Sequence, residues 1–125
     1  MESTKTLIKQ NEQEISTNIE NAVMELTTAG YTGFALGLAK SKVVSMIASA
    51  LNNEVMKPIM EMQNKAYGFK TDCKGNDSYK VEVVRDCLIE ATLKGVEPTG
   101  NQFNIIGGNC YITKTVVLIY FLKEE

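Results

Sequence analysis

The chain has 125 residues, of which 44% are apolar and 22% are charged, and these shares are typical of a soluble globular domain of ordinary size. Its formal net charge is −2, so no global positive field draws it to nucleic acid or to a membrane. A nucleic-acid function would therefore require a local cationic surface, or subunits that together form one.

The first predicted element is an N-terminal helical arm, residues 1–28. Ile15, Ile19, Val23 and Leu26 recur at steps of four, four and three, which places them in a narrow stripe on one helix face. Such a stripe either packs on the rest of the chain or docks on a neighbouring subunit. Packing on the same chain is the favoured interpretation.

A glycine-rich connection is predicted at residues 30–40, and the helical pattern resumes at Ser41. Residues 41–94 are predicted to form a helical core. Pro58 is expected to bend or end a helix near Met56, because proline has no backbone N–H to donate.

The last helix of this core is predicted to begin near Val81. Apolar residues follow from there at steps of three and four, so they share one helix face. Gly95 is expected to end the helix, because the residue that caps a helix often has a left-handed backbone conformation, which glycine adopts without strain since it has no Cβ.

A small sheet is predicted at residues 103–122. The runs Phe103–Ile106 and Cys110–Thr113 flank a Gly-Gly-Asn tip, a pattern typical of a β-hairpin. The β-branched and aromatic run Thr115–Leu122 is predicted to add a third strand. The predicted fold is therefore α+β and one domain, 1–125, with N-terminal helices followed by a small C-terminal antiparallel sheet.

Catalysis and cofactor binding are not expected. The chain has no histidine, so no Ser–His or Cys–His pair can form. Three cysteines are too few for a structural zinc site and, being an odd number, argue against a secreted disulfide framework. Cys87 is expected to fill the core. Glu82, Asp86 and Glu90 are interpreted as a charged helix edge rather than as a metal site.

The polar segment from Gly68 to Lys80 is the candidate binding loop. It carries Lys70, Lys74 and Lys80 together with aromatic residues, and this mixture can hold a single nucleic-acid strand by charge and base stacking. Two aspartates dilute the positive charge. On composition alone, an ordinary solvated loop is favoured.

A family resemblance is carried by the run GVEPTGNQFNIIGGNCYITK, in which an apolar helix ends at Gly-hydrophobic-x-Pro and leads into a hairpin. This run resembles a segment of the RecT-type phage single-strand annealing proteins. The resemblance extends more weakly backwards through Ala29–Tyr31 and Lys40–Lys65. The positions that carry it are Gly95, Val96, Pro98, Asn101, Phe103, Ile105, Ile106, Gly107, Tyr111 and Lys114.

The resemblance implies binding and annealing of single-stranded DNA by an oligomer, so single-stranded DNA and a homo-oligomer are the expected partners. It stops after Lys114, where the family pattern continues further. We therefore expect a shortened relative or a replaced tail, residues 115–125, that lacks part of the family's DNA-binding groove. The residues expected to neutralise phosphates are Lys70, Lys74, Lys80, Arg85 and Lys114, and those expected to stack on bases are Tyr79, Tyr111 and Phe103.

A second hypothesis is a small phage-encoded inhibitor that binds a host defence nuclease or another host protein without catalysis. Short length, mild acidity and the truncated RecT-like pattern motivate it. A purely structural oligomerisation module is a third hypothesis. In each case the absence of a long apolar run predicts no membrane partner and a cytoplasmic location in a bacterial or phage-infected cell.

Overall fold

The computed structural model describes residues 2–97 and 100–113, with side chains from residue 12 onwards. The chain divides into two compact units, Met1–Ala50 and Leu51–Glu125. The described elements confirm the α+β class, because four helices precede and flank a small sheet near the C-terminus. The predicted third strand, residues 115–122, lies outside the described residues, and the one-domain organisation stays a prediction.

The first unit is a helical hairpin. Helix α1 (Glu2–Thr28) packs on helix α2 (Gly33–Ala50) across a short connection. The predicted stripe on α1 is half-buried at Ile19, Val23 and Leu26, and Ile19 lies beside Met46 of α2. Contact with α2 agrees with the favoured interpretation of α1 as a helix packed on its own chain.

Helix α2 begins well before the predicted start at Ser41, so the prediction of a glycine-rich connection up to residue 40 is wrong. Leu36 lies seven residues before Val43, which extends the inner face backwards by two turns. The Leu36 N–H already donates to the Thr32 carbonyl, at 3.3 Å. Glycine lowers helix propensity, but apolar packing on α1 outweighs this cost.

In the second unit, helix α3 (Asn53–Met60) begins at an N-cap rather than continuing a bent helix. The Asn52 side-chain oxygen accepts a hydrogen bond from the Val55 N–H at 3.0 Å, which satisfies a donor that the first turn would leave free. Pro58 lies inside α3. The helix break therefore falls at Leu51–Asn52, and the expected break near Met56 is wrong.

Helix α4 (Val81–Leu93) has the predicted start and the predicted end. Gly95 has a positive φ of 76°. The Val96 N–H donates to the Ala91 carbonyl at 2.8 Å, and the Gly95 N–H donates to the Thr92 carbonyl at 3.0 Å. These two bonds form a Schellman cap, and Val96 is buried beneath it.

The sheet has three strands: β1 (Lys70–Thr71), β2 (Phe103–Ile106) and β3 (Asn109–Ile112), in the spatial order β1-β2-β3. Strands β2 and β3 form the predicted antiparallel hairpin. Strand β1 pairs with β2 in parallel. The sheet is therefore mixed rather than purely antiparallel, because a strand that precedes α4 joins it.

The core of the second unit lies between α4 and the inner face of the sheet. Phe69 and Phe103 stack at its centre, with ring centroids 5.0 Å apart and both side chains fully buried. Burying two such rings contributes about 3–6 kcal/mol of apolar stabilisation, which fixes the sheet on the helix. The remaining buried members of this core are Met56, Val84, Cys87, Leu88, Ala91, Val96 and Ile105.

Candidate nucleic-acid interface

The register of the sheet aligns three side chains across its outer face. Lys70 on β1 pairs with Asn104 on β2, and Asn104 pairs with Tyr111 on β3. Residues in register point to the same side of a sheet, and alternate residues point to opposite sides. Because Phe103 and Ile105 point into the core, this row points away from it. We call Lys70, Asn104 and Tyr111 the outer row.

The outer row combines three chemistries that a single nucleic-acid strand requires. Lys70 is exposed and carries a positive charge. The Tyr111 side chain is 51% exposed, so one face of its ring is open to a base. Two strand spacings separate Lys70 from Tyr111, roughly 10 Å, and Asn104 lies between them with an amide that can bind a base edge.

The side-chain oxygens of Asn104 and Asn101 are both enclosed, and neither has a hydrogen-bond partner among residues 12–97 and 100–113. A buried acceptor without a partner costs about 1–3 kcal/mol. Because Asn101 shares this state outside the outer row, the unpaired oxygen does not by itself mark Asn104 as a binding residue.

The predicted binding loop is fixed to the tip of the hairpin. The Asp72 carboxylate accepts hydrogen bonds from the Tyr79 hydroxyl and, at 3.0 Å, from the Gly107 N–H. The Tyr79 hydroxyl in turn accepts from the Gly108 N–H at 3.2 Å. Both ends of the loop are thereby held against the turn that joins β2 to β3.

These contacts move two pKa values in opposite directions. The pKa of Asp72 is lowered below 3.8, mainly by the hydrogen bond from Tyr79 and next by the one from the Gly107 N–H. The hydrogen bond to Asp72 is also the main cause that raises the pKa of Tyr79 above 10.0. At neutral pH the carboxylate is therefore charged and the phenol is neutral, so the contact is fully formed.

Positive charge is in slight excess on this loop. Residues 68–80 contain three lysines and two aspartates, and Asp72 stays ionised in its contact with Tyr79. Lys70, Lys74 and Lys80 are all exposed. The loop thus has a formal charge of +1 on a chain whose net charge is −2.

Three of the residues predicted to contact nucleic acid have other roles in the structure. Phe103 is fully buried against Phe69, so the prediction that it stacks on bases is wrong. The Arg85 Nε donates to the Leu51 carbonyl at 2.8 Å, and its Nη2 donates to Asn53 Oδ1 at 2.7 Å. Arg85 therefore fastens α4 to the start of α3, and its contact with a phosphate stays a prediction. The Tyr79 hydroxyl is engaged in the loop contact.

Sequence reasoning missed Asn104 as a site residue. The run Phe103-Asn104-Ile105 alternates apolar, polar and apolar, which indicates that Asn104 faces away from the core. That signal could have found it. The predicted contact residue Lys114 lies outside the described residues.

The cysteines near the sheet are unsuited to nucleophilic chemistry. Burial raises the pKa of the Cys87 thiol to about 11, and burial also raises the pKa of Cys110. A buried thiol of this kind is protonated at neutral pH and inert. The prediction that Cys87 fills the core is confirmed.

The described residues contain neither a cluster of metal ligands nor a single membrane-spanning helix. Residues 12–97 and 100–113 contain no group of three or more His, Cys, Asp or Glu side chains that could hold a metal ion. In the part of the chain that the structure describes, no single helix is long and apolar enough to cross a membrane, and α2 and α3 reach that length and apolar composition only as a pair bent by 74°.

The second unit thus defines a class of structure: a capped helix packed under a mixed three-stranded sheet, with a polar and aromatic outer face. No protein-family model, no curated protein and no solved structure matches the chain.

Proposed function

We propose that the chain is a single-stranded DNA-binding and annealing module of phage homologous recombination, and that the outer row is its strand-binding surface. The in-register alignment of Lys70, Asn104 and Tyr111 is the observation that carries this proposal. The resemblance of residues 95–114 to RecT-type annealing proteins supports it independently.

In the proposed binding mode, one base stacks on the exposed Tyr111 ring while Lys70 neutralises a phosphate. The Asn104 side-chain NH2 donates to an acceptor on the edge of the stacked base or its neighbour. Lys74 and Lys80 contact the phosphates that follow. Stacking accepts any base, because every base has a π-face, so binding is tolerant of sequence. Annealing needs no bond chemistry, only an extended strand whose bases remain free to pair.

A fluorescence-anisotropy titration with a labelled single-stranded oligonucleotide tests the proposal. With three lysines on phosphates, the plot of log affinity against log salt has an expected slope of about −2 for a single strand. Tyr111→Ala weakens binding by about 5- to 150-fold through loss of stacking. Lys70→Ala reduces the magnitude of the salt slope by about 0.7.

Two matched controls separate the outer row from the general surface. Tyr67 is 65% exposed and Lys57 is exposed, and both lie outside the outer row. Tyr67→Ala and Lys57→Ala leave the affinity and the salt slope within error. Equal losses for Tyr67→Ala and Tyr111→Ala, or an affinity that is independent of salt, contradict the proposed surface.

The second hypothesis, an inhibitor of a host nuclease or other host protein, stays a prediction. The same titration separates the two hypotheses, because an inhibitor of this kind has little affinity for single-stranded DNA even at low salt. Absence of single-strand binding together with a stoichiometric complex with a host nuclease favours it.

A further inference from the structure

The turn at the tip of the β2–β3 hairpin presents two backbone donors that the sheet does not use. Gly107 and Gly108 have positive φ angles of 59° and 77°, as the two central residues of such a turn require. Ile106 and Asn109 on either side of them form the last pair of the ladder, so the two glycine N–H groups bind groups outside the hairpin. Backbone N–H groups that converge in a turn form a binding site for an anion.

A carboxylate of the chain itself occupies this site. One Asp72 oxygen accepts from the Gly107 N–H at 3.0 Å, and the other accepts from the Tyr79 hydroxyl, whose oxygen accepts from the Gly108 N–H at 3.2 Å. The bond from Tyr79, and next the one from Gly107, lower the pKa of Asp72, because they favour negative charge at this point. A phosphate also accepts charge-assisted hydrogen bonds through anionic oxygens, so it suits the same donors.

Asp72 lies on the same face of the sheet as the outer row. Lys70 and Asp72 are exposed, whereas Thr71 and Cys73 are half-buried, so the alternation that begins in β1 continues to Asp72. The Asp72 N–H donates to the Ile105 carbonyl at 3.1 Å, which keeps its backbone in the ladder. Roughly 6.6 Å separates Lys70 from Asp72 along the chain. A strand that leaves Lys70 towards the hairpin tip therefore meets Asp72 next, and the carboxylate repels its phosphates.

We propose that the hairpin tip is a phosphate subsite of the strand-binding surface, and that the Asp72 carboxylate occupies it until a strand binds. In the bound state a strand phosphate accepts the hydrogen bonds of the Gly107 N–H and the Tyr79 hydroxyl, and the carboxylate turns into solvent. The Gly108 N–H continues to hold the Tyr79 oxygen in place. This inference rests on the proposed function and adds to it a competitor for phosphate within the chain.

The Asp72 side chain can leave the subsite without unfolding the loop, because the backbone at both loop ends is held separately. The Asp72 N–H stays on the Ile105 carbonyl, and the Gln63 amide binds both the N–H and the carbonyl of Tyr79, at 2.9 and 3.3 Å. Asp72 is exposed, so water solvates its carboxylate once it turns away. One anion thus replaces another on donors that are already in position, which keeps the ordering cost of binding low.

Asp72→Ala and Asp77→Ala test the inference as a matched pair, because each removes one carboxylate from the same exposed loop. The Asp72 carboxylate is bonded to the hairpin tip, whereas Asp77 donates its backbone N–H to the Lys74 carbonyl at 3.1 Å. In an anisotropy titration with a single-stranded oligonucleotide at about 0.15 M salt, Asp77→Ala stays within about twofold of the parent, since salt screens an exposed charge. Asp72→Ala raises the affinity about tenfold, the usual worth of a hydrogen bond to a charged group.

The amide signals of Gly107 and Gly108 report where the phosphate binds. In an NMR titration of the isotope-labelled full chain, both signals shift when the oligonucleotide is added. In Asp72→Ala they also shift with inorganic phosphate alone, because the site is then empty. Adding Tyr79→Phe to Asp72→Ala weakens oligonucleotide binding again, because the phosphate loses one donor while the ring remains.

Protection of the α4 amides in hydrogen exchange shows that each variant keeps the second unit folded. If Asp72→Ala loses this protection, Asp72→Asn and Asp77→Asn repeat the comparison with side chains of the original shape. Equal gains at the two positions, weaker binding by Asp72→Ala than by the parent, or glycine signals that inorganic phosphate leaves unmoved in Asp72→Ala overturn the inference. A parent chain that binds no single strand contradicts the proposed function instead, and the titration with inorganic phosphate still decides whether the subsite exists.

Discussion

Gln63 is the polar side chain whose removal is expected to weaken the second unit most clearly. It is only 8% exposed, and it follows α3 directly. Its Oε1 accepts from the Tyr79 N–H at 2.9 Å, and its Nε2 donates to the Tyr79 carbonyl at 3.3 Å and to the Met60 carbonyl at 3.2 Å. One amide thus ties the end of α3 to the chain that leads into α4.

The substitution Gln63→Leu keeps the approximate volume and removes every one of these hydrogen bonds. The Tyr79 N–H and carbonyl are then left without partners in a partly buried position. Each such group costs about 1–3 kcal/mol when it stays unpaired. Because water reaches part of this region, we expect a total loss of about 2–4 kcal/mol in the free energy of unfolding of the second unit.

Native-state hydrogen exchange of the α4 amides measures this loss, because it reports on the second unit alone. Lys57→Leu is the control in the same unit: the Lys57 side chain is 77% exposed and meets Glu54 at 4.0 Å. Its expected effect is within about 0.5 kcal/mol. An effect of Gln63→Leu as small as that of the control refutes the reasoning, since water would then replace the lost bonds without cost.

Two further predictions concern the same unit. Gly68→Ala is expected to destabilise it by about 1–3 kcal/mol in urea unfolding, because an added Cβ would overlap the Met62 carbonyl oxygen. Gly37→Ala is the control: it has open space around it in α2 and is expected to stabilise the helical hairpin slightly. Equal changes in the free energy of unfolding for the two variants would contradict the argument. Tyr79→Phe is expected to lower the midpoint of thermal unfolding by a constant amount between about pH 4 and pH 10. The difference in midpoint between Tyr79→Phe and the parent shrinks as pH falls through the lowered pKa of Asp72, and again as pH rises through the raised pKa of Tyr79. A difference that does not change with pH would exclude this contact as its source.

Local features of the fold were predictable from short stretches of sequence. The stop of α4 at Gly95 depends on one residue that adopts a positive φ, and its cap uses only neighbouring backbone groups. The hairpin depends on a two-residue glycine turn between β-branched runs. In both cases the deciding interactions lie within a few residues, so sequence spacing suffices.

Other features depended on contacts between distant residues. Strand β1 has two residues, too few to show a period, and only its pairing with β2 makes it a strand. The role of Arg85 follows from its position beside Leu51 and Asn53, more than thirty residues earlier in the chain. No pattern local to α4 identifies those partners.

The sequence alone determined which residues alternate along β2 and that the side of Phe103 and Ile105 is apolar, but it did not determine what would cover that side. Helix α4 packs on the side of Phe103 and buries it against Phe69, which leaves Asn104 on the outer side in line with Lys70 and Tyr111. Alternation is a property of the backbone, whereas the partners that each face meets are a property of packing. For this reason only the tertiary structure could reject Phe103 as a binding residue and assemble the outer row.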